Sequence, residues 1–222
     1  MPLIRVALVA LALLLPVAGT AQVGHAPSRS PYRDIKQGSS VTFLGGRFLG
    51  NGGDVGVGPN DAWTYGGRFD FRSGRAVALG VGIAYGNMQR MVVDTALDQI
   101  TGPVDQSVLF VEGLVTLNLT GGKTWHRFAP FVGLGLGFAF GSDVPADISG
   151  YDFGTKFFFA PGGGTRVFLG DRLHIRAEAR ANFWKLTYPP SFREGPDPVI
   201  ITGADSEWDL SPWILFGIGY TL

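Results

Sequence analysis

The chain has 222 residues, of which 34 are glycine, 45% are hydrophobic and none is cysteine, and its formal net charge is zero. This length suits one or two domains, and the charge balance gives no indication of nucleic-acid binding. Without cysteine the chain has neither a disulfide framework nor a metal site built on Cys and His.

The first 21 residues have the pattern of a secretory signal peptide. Arg5 precedes an apolar run at residues 6–17, and small residues follow the run up to Ala21. Because the run is too short to span a membrane well, the pattern predicts cleavage after Ala21, with a retained anchor as the alternative. Residues 22–38 are then predicted to form a periplasmic tail, and residues 39–222 a folded domain.

Eight segments of alternating character follow the tail, and a period of two is that of a β-strand. They lie at residues 39–49, 62–72, 75–88, 107–119, 127–140, 156–169, 172–186 and 208–222. Their connections alternate between short and long. The long ones lie at residues 50–61, 89–106, 141–155 and 187–207. This alternation is typical of bacterial outer-membrane barrels, in which short turns face the periplasm and long loops face outside.

Every segment has one apolar face and one face of small or charged residues. In the segment FAPFVGLGLGFAFG, for example, Gly133, Gly135 and Gly137 lie opposite large apolar residues. A soluble lipocalin-like barrel would turn the apolar face inward, and a membrane barrel turns it outward. Rows of glycine facing water would weaken the strands, so the pattern favours the membrane barrel. The glycines would then leave space for arginines that cross a narrow lumen.

The closing segment, WILFGIGYTL, completes a resemblance to the small eight-stranded outer-membrane barrels of the OmpA/OmpX kind. The resemblance implies an all-β, eight-stranded antiparallel up-and-down transmembrane β-barrel in the outer membrane of a Gram-negative-type bacterium, monomeric and with both termini periplasmic. It also implies contact with outer-membrane lipid and lipopolysaccharide. Phe216, Ile218 and Tyr220 match the family's signal for the barrel assembly machinery, whereas Leu222 departs from the usual final Phe.

The strand phases place a set of charged residues inside the barrel. The predicted lumen residues are Arg47, Arg68, Arg72, Arg166, Arg172, Arg176, Arg180, Asp70, Glu112, Glu178 and Asp209. Since narrow barrels fill their interiors, the favoured interpretation is a salt-bridge plug, and the alternative is a narrow gated channel. Because a deep carboxylate must be paired, we expect Glu112 to contact Arg176, Arg68 or Arg180.

An enzyme is not indicated by the sequence. The histidines after the signal peptide are His25, His126 and His174, and none is arranged with a serine as a hydrolase requires. We therefore expect no catalytic site, metal or cofactor, and a structural or surface-interaction role. An outer-membrane lipid-modifying enzyme and a soluble binder remain as alternatives.

The long connections are strongly acidic, with twelve carboxylates against two basic residues. The acidic residues are Asp54, Asp61, Asp94, Asp98, Asp105, Asp143, Asp147, Asp152, Glu194, Asp197, Asp205 and Glu207. The pattern predicts a solvated surface on which like charges extend the loops. The alternative is the binding of divalent cations, which prefer carboxylate oxygens.

Overall fold

A computed structural model of the chain describes residues 30–36, 38–94, 99–192 and 205–222. The predicted signal peptide, most of the predicted tail and His25 lie outside these residues. The compact unit that they form extends from Tyr32 to Leu222. None of the described helices is long and apolar enough to cross a membrane.

The described part of the chain contains ten strands and one short 3-10 helix at Pro190–Phe192. The strands are β1 Tyr32–Asp34, β2 Ser40–Asn51, β3 Asn60–Arg72, β4 Val77–Asp94, β5 Gln99–Asn118, β6 Lys123–Trp125, β7 Phe128–Gly141, β8 Thr155–Phe168, β9 Leu173–Thr187 and β10 Ser206–Thr221. The eight long strands correspond one to one with the predicted segments. Each is longer than the roughly 9–11 residues that a tilted strand needs to cross a bilayer.

The eight long strands form a closed antiparallel barrel. Each pairs with the next along the chain, and the last strand returns to the first through the pairing of β10 with β2. In this closing seam Trp213 lies opposite Phe48, and Tyr220 lies opposite Val41. The predicted eight-stranded up-and-down barrel is thus confirmed, and closure leaves no open sheet edge among its long strands.

The connection predicted at residues 89–106 is wrong in its extent, because most of it is strand. β4 and β5 continue to pair with each other as far as Asp94 and Gln99. The pairing of β4 with β3 ends at Gly86, and that of β5 with β7 ends at Val108. Gly102 and Pro103 are turn signals in the sequence, but here they accompany a shift of register in the hairpin between Arg90 and Val92. Glycine and proline are tolerated at such irregularities, which is why they did not end the strand.

Part of the predicted tail belongs to the sheet instead. β1 pairs with β6, which lies in the connection between β5 and β7. Ile35, the residue that follows β1, is buried against Ala129 and Phe168 at the short-turn end of the barrel. This segment is held against the barrel by two contacts. The Ile35 side chain is buried, and β1 pairs with the edge of β6.

The outer face of the barrel is a continuous band of exposed apolar side chains. Along β10, for example, Ile214, Phe216 and Ile218 all point outward, as predicted. Aromatic side chains border the band at both ends. They include Trp63, Tyr65, Tyr85 and Trp208 toward the long connections, and Phe71, Trp125, Phe128 and Tyr220 toward the short turns. Soluble monomers rarely expose such an area, whereas membrane barrels carry an apolar band between two aromatic girdles.

The filled lumen as candidate functional site

The lumen contains two layers of different chemistry, stacked along the barrel axis. β9 crosses both layers, and its inward side chains change from charged to apolar along the strand. From the short-turn end they are His174, Arg176, Glu178, Arg180, Asn182, Trp184 and Leu186, and all are buried. We call the charged half, nearer the short turns, the ionic layer, and the apolar half, nearer the long connections, the aromatic layer.

Glu178 is the carboxylate that most arginines of the ionic layer share. Its Oε2 accepts a hydrogen bond of 2.7 Å from Arg176 Nε and lies 3.5 Å from Arg68 Nη1. Its Oε1 lies 3.7 Å from Arg180 Nε. Arg68 also donates to Asp70 Oδ1 and Thr116 Oγ1, both at 2.7 Å. Strands β3, β5 and β9 are therefore tied together across the lumen by charge-assisted hydrogen bonds.

Glu112 pairs with Arg180, one of the three arginines expected from the sequence. Arg180 Nη1 lies 2.8 Å from Oε1 and 2.7 Å from Oε2 of Glu112. Both side chains are almost fully buried. The pair joins β5 to β9, and the Arg180 guanidinium also lies 4.6 Å above the Trp213 ring, where the two layers meet.

Glycines surround this pair and leave it space. A Cβ atom added to Gly135 would lie 2.8 Å from Glu112 Oε2, and one on Gly82 would lie 3.1 Å from Oε1. A Cβ on Gly162 would lie 2.6 Å from Arg180 Cγ. A Cβ at Gly135 would therefore displace the Glu112 carboxylate, and one at Gly82 would press against it. At Gly162 a Cβ would also meet the carbonyl oxygen of Ala179 at 2.5 Å.

Gly133 and Gly137, the other two glycines of the segment FAPFVGLGLGFAFG, have a different neighbour. A Cβ on Gly137 would lie 2.2 Å from the carbonyl oxygen of Val111, and one on Gly133 would lie 2.9 Å from that of Val115. Both therefore meet the backbone of β5. The sequence predicted that all three glycines make room for arginines that cross the lumen. This holds for Gly135, which lies beside Arg180, whereas Gly133 and Gly137 allow the backbones of β7 and β5 to approach closely.

Arg72 and Arg166 also point into the lumen but form no ion pair with a described residue. Arg166 donates to Asn118 Oδ1, and its guanidinium lies 5.9 Å from the Phe168 ring. Arg72 is half-buried, and its Nη1 has no described hydrogen-bond partner.

Two residues assigned to the lumen network do not lie in it. The prediction that Arg47 faces the lumen was wrong. Arg47 points outward, pairs with Asp61 at 3.5 Å and lies over the Trp63 ring. Because it lies near the loop end of β2, its long side chain can keep its charge at the membrane surface. Arg172 precedes β9 and contacts the outward-facing Tyr220.

Asp209 faces the lumen as expected, but no described arginine or lysine pairs with it. Its Oδ2 accepts hydrogen bonds from Trp184 Nε1 at 2.8 Å and from Ser211 Oγ at 2.7 Å. The prediction of an ion pair was wrong because Asp209 lies beyond the ionic layer, where indole and hydroxyl groups are the available donors.

The aromatic layer was not foreseen from the sequence. Five large rings, from five different strands, meet in the loop-side half of the lumen. They are Phe48, Phe110, Phe158, Trp184 and Trp213. Phe110 stacks on Trp184 at a centroid distance of 6.1 Å and lies 4.9 Å from Trp213. The Trp213 indole nitrogen donates to Thr64 Oγ1 at 2.8 Å, so the buried polar atoms of both indoles are satisfied.

A signal for this layer does exist in the sequence. At the loop-side ends of several segments large apolar residues occupy consecutive positions, so alternation is lost. Phe157, Phe158 and Phe159 are one example, and Phe183 with Trp184 is another. Where both faces of a membrane strand are apolar, one face borders lipid and the other must fill the interior.

The loop at residues 142–154 covers the aromatic layer. Arg90 Nη1 and Asp147 Oδ2 form a buried ion pair at 2.6 Å, and the same guanidinium lies 5.1 Å above the Tyr151 ring. Phe153 packs edge-on against Trp184 at 5.4 Å. Burial raises the pKa of Tyr151, so its hydroxyl stays neutral.

A second carboxylate, that of Glu207, joins two connecting segments near this loop. Glu207 accepts hydrogen bonds from the Tyr188 hydroxyl and, at 2.8 Å, from the backbone nitrogen of Asp54. Burial and the bond to Glu207 raise the pKa of Tyr188. The prediction that like charges extend the loops is therefore wrong here, because Asp147 and Glu207 are used in contacts. No group of three Asp, Glu or His side chains in the described residues could hold a metal ion.

Both described histidines pack against aromatic rings. His126 lies edge-on to Trp125 in the turn after β6, and His174 lies in the lumen at 5.2 Å from the Phe168 ring.

The barrel is similar to solved outer-membrane proteins. One is OprG from Pseudomonas aeruginosa, with 15% identity and a TM-score of 0.50 over 85% of this chain and 98% of that chain. Another is Neisserial surface protein A, with 11% identity and a TM-score of 0.50 over 87% and 98%. No family model matches the chain, and no curated protein matches it in sequence. At such identities the likeness shows the fold alone, which is that of the small eight-stranded outer-membrane barrels.

Proposed function

We propose that the protein is a closed outer-membrane barrel with a structural or surface-interaction role. The observation that carries this proposal is the filling of the lumen by an ionic layer and an aromatic layer. The space beside Glu112, Arg180 and Trp213 has a volume of about 10 Å³. This is about what one water molecule needs, whereas a pore needs a continuous water-filled passage.

The alternatives have less support from the geometry. A soluble binder would expose the apolar band to water, which soluble monomers rarely do. A lipid-modifying enzyme would need a free base near its nucleophile. His126 and His174 instead pack on rings, and the carboxylates of Glu112 and Glu178 are held by arginines. The narrow channel would require both layers to rearrange together.

Ion conductance tests the proposal. We expect the purified protein to insert into planar bilayers without unitary current steps, because both layers block passage. Glu112→Ala should also remain closed, since the surrounding arginines still fill the ionic layer. Regular, voltage-stable steps from the unmodified protein would favour the gated channel instead.

The outward placement of the long loops can be tested by cysteine labelling of intact cells. Asp143 lies exposed in a long loop and Asp171 lies exposed in a short turn, so the same substitution can be made at both ends. We expect Asp143→Cys to react with a membrane-impermeant maleimide and Asp171→Cys to react only after the cells are opened. The reverse labelling pattern would invert the proposed topology and place the termini outside.

We also propose that the last strand carries the assembly signal. Phe216, Ile218 and Tyr220 are exposed on the outer face in the last six residues of β10, and the exposed Leu222 follows the strand. Deleting residues 220–222 should stop insertion in cells and leave the chain in the periplasm. Because the deletion also removes strand pairing near the seam, refolding of both chains in detergent is the control. Insertion of the truncated chain in cells at the normal level would refute the signal.

A further inference from the structure

Four polar groups near the short-turn end of the lumen have no hydrogen-bond partner among the described residues. They are Arg166 Nε, Arg72 Nη1, His174 Nδ1 and Thr42 Oγ1. Arg166 is 5% exposed, His174 1% and Thr42 0%. Buried polar groups without partners are costly, so several in one region point to a missing acceptor.

Two of these side chains meet at one point of the barrel wall. His174 on β9 lies opposite Gly219 on β10, and Gly219 lies opposite Thr42 on β2. A Cβ on Gly219 would lie 2.3 Å from His174 Nε2 and 2.6 Å from Thr42 Oγ1. The absence of a side chain at Gly219 therefore lets the imidazole and the hydroxyl come together.

The two arginines approach the same end of the lumen from other strands. Arg166 on β8 lies opposite Arg176 on β9. Two residues further along β8 lies Phe168, which packs on His174. Among the described residues, the side-chain acceptor of Arg166 is Asn118 on β5. Arg72 lies opposite Ala78, which in turn lies opposite Thr116 on β5. Arg72 is half-buried, so this end of the lumen can be reached from outside the barrel.

The ionic layer has more arginines than carboxylates. Asp70 pairs with Arg68, Glu112 pairs with Arg180, and Glu178 is shared among three arginines. Arg72 and Arg166 have no carboxylate partner among the described residues. Buried positive charge without a counter-charge is unfavourable, so an anion would be stabilised at this position.

We propose that Arg166, Arg72, His174 and Thr42 form a binding site for a phosphate-class oxyanion at the short-turn end of the lumen. Guanidinium groups present paired N–H donors that match phosphate oxygens, and the imidazole and hydroxyl add single donors. The ligand is either free inorganic phosphate or the phosphate group of a lipid. Entry through the lumen mouth favours the free ion.

The test uses the full barrel folded in a phosphate-free, non-ionic detergent. The thermal unfolding midpoint is followed while inorganic phosphate is added at constant ionic strength, with chloride as the balancing anion. We expect a saturable rise of the midpoint with phosphate, as ligand binding to the folded state requires. A parallel titration with a short-chain phospholipid at the same phosphate concentration distinguishes the lipid source.

Variants show whether the proposed residues are responsible. Arg166→Met and Arg72→Met should each weaken phosphate binding at least tenfold, whereas Arg47→Met, on the outer face, should leave it unchanged. Arg72→Met is the safer of the two for folding because Arg72 is half-buried and unpaired. The absence of a saturable shift in the unmodified protein, or an equal shift in Arg72→Met, would overturn the proposal.

Discussion

Replacing Glu178 with glutamine is expected to lower the free energy of unfolding by about 3–5 kcal/mol, the typical cost of breaking a buried ion pair from one side. The carboxylate is shared by Arg68, Arg176 and Arg180. Its loss leaves Arg176 with no carboxylate partner among the described residues, while Arg68 keeps Asp70 and Arg180 keeps Glu112. The measurement is denaturant unfolding of the detergent-folded barrel, followed by the heat-modifiable gel shift or by tryptophan fluorescence.

Asp61→Asn is the matched control for this change. Asp61 forms the ion pair with Arg47, but their side chains are 48% and 41% exposed and the atoms lie 3.5 Å apart. Exposed pairs contribute about 0–1 kcal/mol, so this variant should unfold almost as the parent does. Equal effects of the two substitutions would mean that solvent reaches the ionic layer and that the lumen is not sealed there.

Replacing Trp184 with alanine is expected to destabilise the barrel by about 3–5 kcal/mol, as truncation of a buried aromatic residue does. Trp184 is fully buried and contacts Phe48, Phe110 and Phe153. The truncation also removes an indole donor from the buried Asp209. The same denaturant unfolding measures the loss.

Trp208→Ala is the control for the aromatic layer, since it removes the same side chain from the outer face. Trp208 is 60% exposed and contacts Phe159 at 5.9 Å. Its loss should cost less than half as much as that of Trp184, because no cavity forms inside the barrel. A larger effect at Trp208 would indicate that packing in the lumen contributes little to stability.

The period of two made the fold predictable from the sequence. In β9, for instance, polar and apolar residues alternate without a break from Leu173 to Asn182, which fixes both the strand and its inward face. Strand phase and the narrowness of an eight-stranded barrel placed Glu112 within reach of an inward arginine. They did not decide among Arg68, Arg176 and Arg180, and the structure shows that the partner is Arg180.

The parts that were missed depend on contacts distant in sequence. Arg90 lies on β4 and Asp147 lies in the loop between β7 and β8, far apart in the sequence. No local sequence pattern indicates that they form a buried ion pair. Arg47 carries a charge, yet it lies on the outer face of β2 because Phe48 is needed in the aromatic layer. Residue type alone could not decide between the two faces at the end of the strand, where the membrane surface accepts an arginine.

Quenching of tryptophan fluorescence by brominated lipid tests most directly whether the apolar band faces lipid while the lumen is filled. Trp208 and Trp213 lie on the same strand, the first exposed on the outer face and the second buried in the lumen. Single-tryptophan proteins retaining one or the other, with the remaining four changed to phenylalanine, would be folded into bilayers brominated near the headgroup end of the chains. We expect strong quenching of Trp208 and little quenching of Trp213. Quenching of Trp213 as strong as that of Trp208 would contradict the filled barrel described above.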